Sequence, residues 1–273
     1  MVRNIQYSEK DGTYYYYAPR SASDAENGFC IASAVSGLIM STLPYFSKPF
    51  QKQMVREHSN NHLYKNNFLK AIDISGLKSK GLSLGNYTLD KDIYAGMNAC
   101  YVPSTKTIKV NTELASISGF HELGHAMNHL KSKSGKFLQA LRKPGYGLAG
   151  LMGTLALLSR PKPKEEKRTP LDFVLDNCGK IAFVGLLPTV AEEALASHKG
   201  IKLARASGLD EKLVKNLKKF YGKALLSYIG YAVVTGFSVF VANKITQAFT
   251  RPKKVIVYNP QDEILSTSLP SSS

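Results

Sequence analysis

This chain has no tryptophan, little cysteine and far less acid than base. Its 3 cysteines, Cys30, Cys100 and Cys178, are odd in number and widely spaced, with no C-x-x-C pair. That pattern excludes a disulfide-stapled scaffold and a cysteine-rich zinc module, and a reducing compartment is the simplest reading. Only 20 Asp and Glu face 36 Lys and Arg, a formal charge of +16. No apolar stretch follows the initiator: MVRNIQYSEKDGTYYYYAPR is polar and aromatic, which does not read as a signal peptide. There is no internal repeat, and a mean hydropathy of −0.16 is too polar for a transporter of many strong spans. The rest of the composition, 44% hydrophobic and 21% charged, excludes a disordered polyampholyte and a collagen-like repeat. A chain of 273 residues allows one large domain or two modest ones.

The basic excess is spread over residues 48–80, 131–143, 160–168, 199–223 and 251–254. Several of these clusters flank apolar runs, which suits anionic lipid headgroups. No nucleic-acid-binding motif accompanies the charge, so membrane lipid is the expected partner and nucleic acid is not. Residues 28–47 and 224–242 are uncharged for 20 and 19 residues, close to the ~20 that cross a bilayer. Residues 144–159 and 181–191 are also apolar but short for spans, which suits a re-entrant hairpin or burial inside the protein. The expected location is a membrane, with the catalytic site on the cytoplasmic side. Charge asymmetry does not set that orientation, because basic clusters lie on both sides of nearly every apolar run.

Residues 1–23 read as a loose polar leader and residues 24–250 as one domain. Residues 251–273 read as a basic, then Ser-rich, disordered tail. From 24 to 71 the pattern is helical, with Pro44 and Pro49 as breaks. From 76 to 111 apolar and polar residues alternate between Gly and Pro-Ser turns. The expectation is a small antiparallel sheet ending in a hairpin, with strands 98–102 and 107–110. A helix over 112–132, stopping at Gly135, follows. Residues 160–169 form a polar linker, and further helices broken near Gly208 run to about residue 249.

On the helix after the hairpin stands His121-Glu122-Leu123-Gly124-His125. With 6 His in 273 residues, chance placement of H-E-x-x-H is about 0.005 per chain. Residues i and i+4 share a helix face, so both imidazoles can bind one Zn²⁺, with Glu122 beside them as general base. A catalytic zinc needs a third protein ligand. Asn128 and Lys131 stand where a metzincin would have Gly and His, and His129 is rotated about 80° off the His121 face. The downstream stretch TVAEEALASHKGIKLA offers Glu192 and Glu193 at the end of an apolar run, where an unpaired carboxylate is costly. Adjacent helix positions diverge by about 100°, so one of the two faces the metal. Glu193 has Ser197 at i+4, where a hydroxyl can orient a ligand.

Three stretches, AGMNACYVPSTKTIKVN, ISGFHELGHAMNH and LLPTVAEEALASHKGIKLA, together resemble the membrane gluzincin metallopeptidases. That group includes the CAAX prenyl endopeptidase and heat-shock membrane protease family and the related bacterial neutral zinc metallopeptidases. The resemblance covers roughly residues 76–231. It implies that His121, His125 and Glu193 are the zinc ligands, Glu122 the base, and Ser197 a residue that orients a ligand. Asn98 and Ala99 would lie on an edge strand that pairs with extended substrate. Ser197 departs from the Asp of the prenyl endopeptidase branch and suits the neutral metallopeptidase branch, while the short apolar runs depart from full spans.

Tyr228, Tyr231, His198 and Arg205 follow Glu193 and are the candidates to stabilise an oxyanion. The expectation is thus a mainly α (α+β) protein, a zinc-binding helical bundle with a small antiparallel sheet beside the H-E-x-x-H helix and apolar, membrane-inserted helices. Its activity would be zinc-dependent cleavage of membrane-associated or unfolded proteins, one Zn²⁺ per chain. The competing readings are a zinc-bound, non-proteolytic membrane scaffold and a basic membrane-surface or nucleic-acid adaptor.

Overall fold

The computed structural model describes residues 5–9, 13–87, 98–111, 117–162 and 167–258. Eight α-helices carry most of that chain: α1 (Ala22–Met40), α2 (Leu43–Glu57), α3 (Lys65–Ser75), α4 (Gly119–Lys131), α5 (Lys133–Leu157), α6 (Pro170–Asp176), α7 (Cys178–Ala206) and α8 (Glu211–Thr250). Six strands, β1 (Gln6–Ser8), β2 (Thr13–Ala18), β3 (Ser83–Asn86), β4 (Ala99–Val102), β5 (Thr107–Val110) and β6 (Lys253–Tyr258), form two three-stranded sheets of order β1-β2-β6 and β3-β5-β4. The protein is mainly α with a small sheet, as the residue pattern implies.

The core has two parts with different chemistry. The first gathers large side chains, among them Tyr64, Phe68, Ile72, Ile108, Phe120, Leu123 and Leu217, where α3, α4 and β5 meet the end of α7 and the start of α8. This is ordinary burial of large apolar groups, each contributing roughly 1.5–3 kcal/mol. The second core is built from small residues of α1, α5, α7 and α8: Ala32, Ala149, Ala156, Ala182, Ala232 and Ala242. Gly145 of α5 lies against the Gly185 carbonyl of α7, and Gly179 against the Gly236 carbonyl of α8. Large apolar side chains of this bundle point outward instead, including Leu38 (70% exposed), Val184 (58%) and Phe237 (55%). Small residues inside and large apolar residues outside are the pattern of helices packed in lipid. Two helical stretches, Ala22–Glu57 and Glu211–Thr250, are long and apolar enough to cross a membrane.

The local boundaries follow capping and turn chemistry. Ser21 and Asp24 close a capping box on α1, and Thr169 and Asp172 another on α6, with Pro170 at its first position. Gly208, at φ +81°, makes the turn from α7 to α8. The break expected near Gly208 is therefore present.

Pro44 marks a break as expected: α1 ends at Met40 and α2 starts at Leu43, with Pro44, which has no N–H to continue the ladder, at its second position. The break falls at Ser41–Thr42, whose hydroxyls donate back to the carbonyls of Leu38 and Ile39. Other expectations need correction. Pro49 lies inside α2 without ending it. Gly135 does not stop a helix but lies in the first turn of α5, where its N–H donates to the Ser132 hydroxyl. Among the described residues, parts of the leader and of the start of the tail are strands. Thr13–Ala18 pairs antiparallel with both Gln6–Ser8 and Lys253–Tyr258, joining segments from near the two ends in one sheet. Local sequence does not reveal this pairing, because the partners are far apart in the chain. The Ser-rich end of the tail, residues 259–273, lies outside the described residues.

The expected hairpin forms as antiparallel β4 and β5, with Lys106 at φ +53° in its turn. β3 joins β5 in parallel, so this sheet is mixed, with β3 and β4 as its two edges among the described residues. The short apolar runs are segments of longer helices, α5 and α7. α6 and α7 meet at a 77° bend and together pass as a broken span.

Candidate metal centre

α4 and α7 cross at two glycines. A Cβ at Gly124 would strike the Ala196 carbonyl, and one at Gly200 the Phe120 carbonyl. Backbones therefore touch at both points, which brings one face of α4 directly against the glutamates of α7. The start of α4 is held from outside: Asn61 Oδ1 accepts from Ile117 N (3.0 Å), and Tyr221 of α8 donates to Ile117 O (2.8 Å).

At that crossing His121 Nε2, His125 Nε2 and Glu193 Oε2 converge. His121 Nε2 is 3.0 Å from His125 Nε2 and 3.0 Å from Glu193 Oε2, and His125 Nε2 is 3.5 Å from the same oxygen. Four ligands about 2.0–2.1 Å from a tetrahedral metal lie about 3.3 Å apart. The three donor atoms thus outline one face of such a tetrahedron, and the cluster can hold a metal ion.

The opposite ring nitrogens are also engaged. His125 Nδ1 donates to Glu192 Oε1 (2.8 Å), and His121 Nδ1 lies 3.1 Å from Ser197 Oγ. A histidine whose Nδ1 is tied to an oxygen presents its Nε2 lone pair outward, the tautomer a metal needs. Sequence reasoning left the choice between Glu192 and Glu193 open. In the fold Glu193 stands at the Nε2 side of both imidazoles, and Glu192 behind His125. Ser197 stands behind His121.

Glu192 is completely buried, and donors surround it: Asn128 Nδ2 (2.9 Å), Gln139 Nε2 (2.9 Å) and Arg142 (3.0 Å), besides His125. Arg142 spans the two carboxylates, reaching Glu193 Oε1 at 2.8 Å with its other terminal nitrogen. Burial works against its charge, but Glu193 and Glu192 outweigh that and raise its pKa further. Arg142, Gln139 and Asn128 are missing from the sequence reading. Their one signal is Gln139 and Arg142 at i, i+3, a polar face just before the apolar run that starts at Pro144.

No family model, curated protein or solved structure matches this chain.

Glu122 faces a cavity of about 600 Å³ bounded by β4, α4, α5, α7 and α8. Its Oε2 accepts the Tyr101 N–H of β4 at 2.7 Å. Burial, the largest influence, pushes its pKa up, and the two imidazoles partly offset it. Asn98 and Ala99 both line the cavity. Ala99 N–H donates to Asn98 Oδ1 (2.9 Å), while the Asn98 amide lies 3.5 Å from the Tyr87 hydroxyl.

His129 is not among the converging donors. Its Nδ1 bonds the Tyr101 hydroxyl at 2.7 Å, tying β4 to the far end of α4. Of the four oxyanion candidates only Tyr228 lines the cavity. Tyr231 packs on Tyr146, Arg205 pairs with Glu211, and His198 is exposed. Phe50, Phe220 and Ala224 add apolar surface to the cavity lining, and Arg142 and Lys143 add cationic groups.

Proposed function

We propose that this protein is a zinc-dependent endopeptidase acting on membrane-associated or unfolded proteins. The observation that carries the reading is the convergence of His121, His125 and Glu193 beside the carboxylate of Glu122. The donor set, two imidazoles and one carboxylate, is that of catalytic rather than closed structural zinc sites, which favours Zn²⁺ as the ion. Zinc in such a site supplies a Lewis acid for the scissile carbonyl and makes the attacking water acidic.

The chain's own residues supply the rest. Tyr101 N–H holds Glu122 Oε2, which leaves Oε1 toward the cavity to take the water's proton. That proton then passes to the departing amide nitrogen as the C–N bond breaks. A carboxyl whose pKa is raised by burial serves both transfers better than a fully solvated one. The outer edge of β4, apart from the Tyr101 N–H held by Glu122, is the surface on which an extended peptide would pair, with Asn98 and Ala99 at its start. Tyr228, which lines the cavity, would donate to the developing oxyanion. The three unpaired-thiol cysteines suit a site facing a reducing compartment, hence the cytoplasmic side.

The test is cleavage of an unfolded protein by detergent-purified, zinc-loaded wild type beside Glu122→Gln. The expected result is a loss of roughly 10²–10⁴-fold in the variant with zinc still bound. Equal cleavage by both proteins would end the assignment of Glu122 and point to a contaminating protease.

A further inference from the structure

At the end of the bundle away from the metal centre, two clefts run into each other. The first lies between the start of α1, the segment after α5 and the end of α8, and has a volume of about 510 Å³. Arg20, Arg160 and Lys162 line it, and among the described residues no carboxylate does. Arg20 Nε donates to the Arg251 carbonyl (3.1 Å), which fixes the guanidinium at the rim. Its nearest acid, Asp24 Oδ2, is 4.0 Å away. Arg160 and Lys162 are exposed and form no ion pair among the described residues.

The second cleft, about 360 Å³, shares Ala22, Ala25, Arg160 and Thr250 with the first. It continues along the bundle wall past Phe29, Leu157 and Leu158, with Glu26 exposed on its edge. Phe29 is 44% exposed and Leu158 64%. The groove is therefore cationic at one end and apolar along its length.

Its position sets the scale of its ligand. The 19 residues of α1 rise about 28 Å, close to the ~30 Å of bilayer hydrocarbon. The first turn of α1 and the last turn of α8 then lie where hydrocarbon gives way to headgroups. A basic cleft at that level, opening onto an apolar wall, matches an amphiphile with one phosphate and a long chain. We propose that this groove binds one anionic glycerophospholipid, its phosphodiester between Arg20, Arg160 and Lys162 and an acyl chain along Phe29, Leu157 and Leu158. Asp24 and Glu26 stand beside this end and Lys162 also lines a neighbouring cleft with Asp172 and Asp176, so it is the three convergent cations that favour an anionic lipid over a zwitterionic one. This site is separate from the metal centre, and its test does not depend on peptidase activity.

The experiment is native mass spectrometry of the full chain in detergent, titrated with phosphatidylglycerol, with phosphatidylcholine of the same chains, or with inorganic phosphate. The proteins are wild type, Arg160→Gln/Lys162→Gln, and Lys78→Gln/Lys80→Gln, which removes equal charge at the opposite end. Wild type is expected to bind one phosphatidylglycerol at least tenfold more tightly than phosphatidylcholine. At about fivefold per headgroup-facing cation, Arg160→Gln/Lys162→Gln weakens that binding roughly 25-fold. Lys78→Gln/Lys80→Gln leaves it unchanged. Equal binding of the two lipids, or equal losses in the two variants, overturns the proposal. So does inorganic phosphate binding as tightly as the lipid, which would mean an anion site without a lipid wall.

Discussion

Glu192 and Glu193 are neighbours in the chain with different tasks. Glu193 joins the two Nε2 atoms, while Glu192 holds the back of His125 and is itself held by Asn128, Gln139 and Arg142. Glu192→Gln keeps the size and removes the charge that orients His125. It is expected to weaken metal binding 10–100-fold in competition with a chromophoric chelator. Unchanged affinity would mean that His125 needs no such support.

His125 also carries a proton the metal must displace. Burial opposes its charge, but hydrogen bonds to Glu192 and Glu193 outweigh that and hold its pKa up to about 10 in the metal-free protein. That exceeds the unfolded value of about 6.5, so the stabilisation is fully present below about pH 6.5 and is lost as pH rises through about 10. At pH 8, metal uptake should then expel about one proton from His125. Calorimetry in two buffers of different protonation enthalpy reads this directly, and identical heats would show His125 already neutral. The spacing of His121 and His125 made the pair legible, because i and i+4 share a face whatever surrounds them. Arg142 and Gln139 were not legible, because their partners lie about fifty residues away on another helix.

At the scale of elements, the site depends on how closely α4 and α7 approach. Gly124 sets that distance, so Gly124→Ala would force the helices apart at the Ala196 carbonyl. Overpacking of this kind costs about 1–3 kcal/mol. The melting temperature and metal affinity should fall together. Gly147 of α5 has open space at its Cβ position, and Gly147→Ala should be neutral or mildly stabilising by helix propensity. If both variants melted alike, the close crossing would not be what holds the site.

The hairpin over β4 and β5 was readable from alternation and turn residues, which act within a few positions. The parallel pairing of β3 and the sheet joining segments from near the two ends were not, since loop closure over long separations leaves no local mark.

At the scale of the whole molecule, a core rich in small residues with large exposed apolar ones around it is compatible with a bilayer around the bundle. The protein should stay with membranes through high-salt and alkaline carbonate washes and leave only in detergent. Release by salt alone would favour a surface adaptor held by the +16 charge. By itself the sequence determined the helical class, the H-E-x-x-H spacing, the hairpin and the two long apolar runs, because each is written in spacings of a few residues. Only the tertiary structure decided which glutamate faces the two imidazoles, what holds the other, and why the apolar runs of α5 and α7 are short. Those two helices have to present Arg142, Glu192 and Glu193 to the metal centre, so their polar ends begin where a full span would still be apolar.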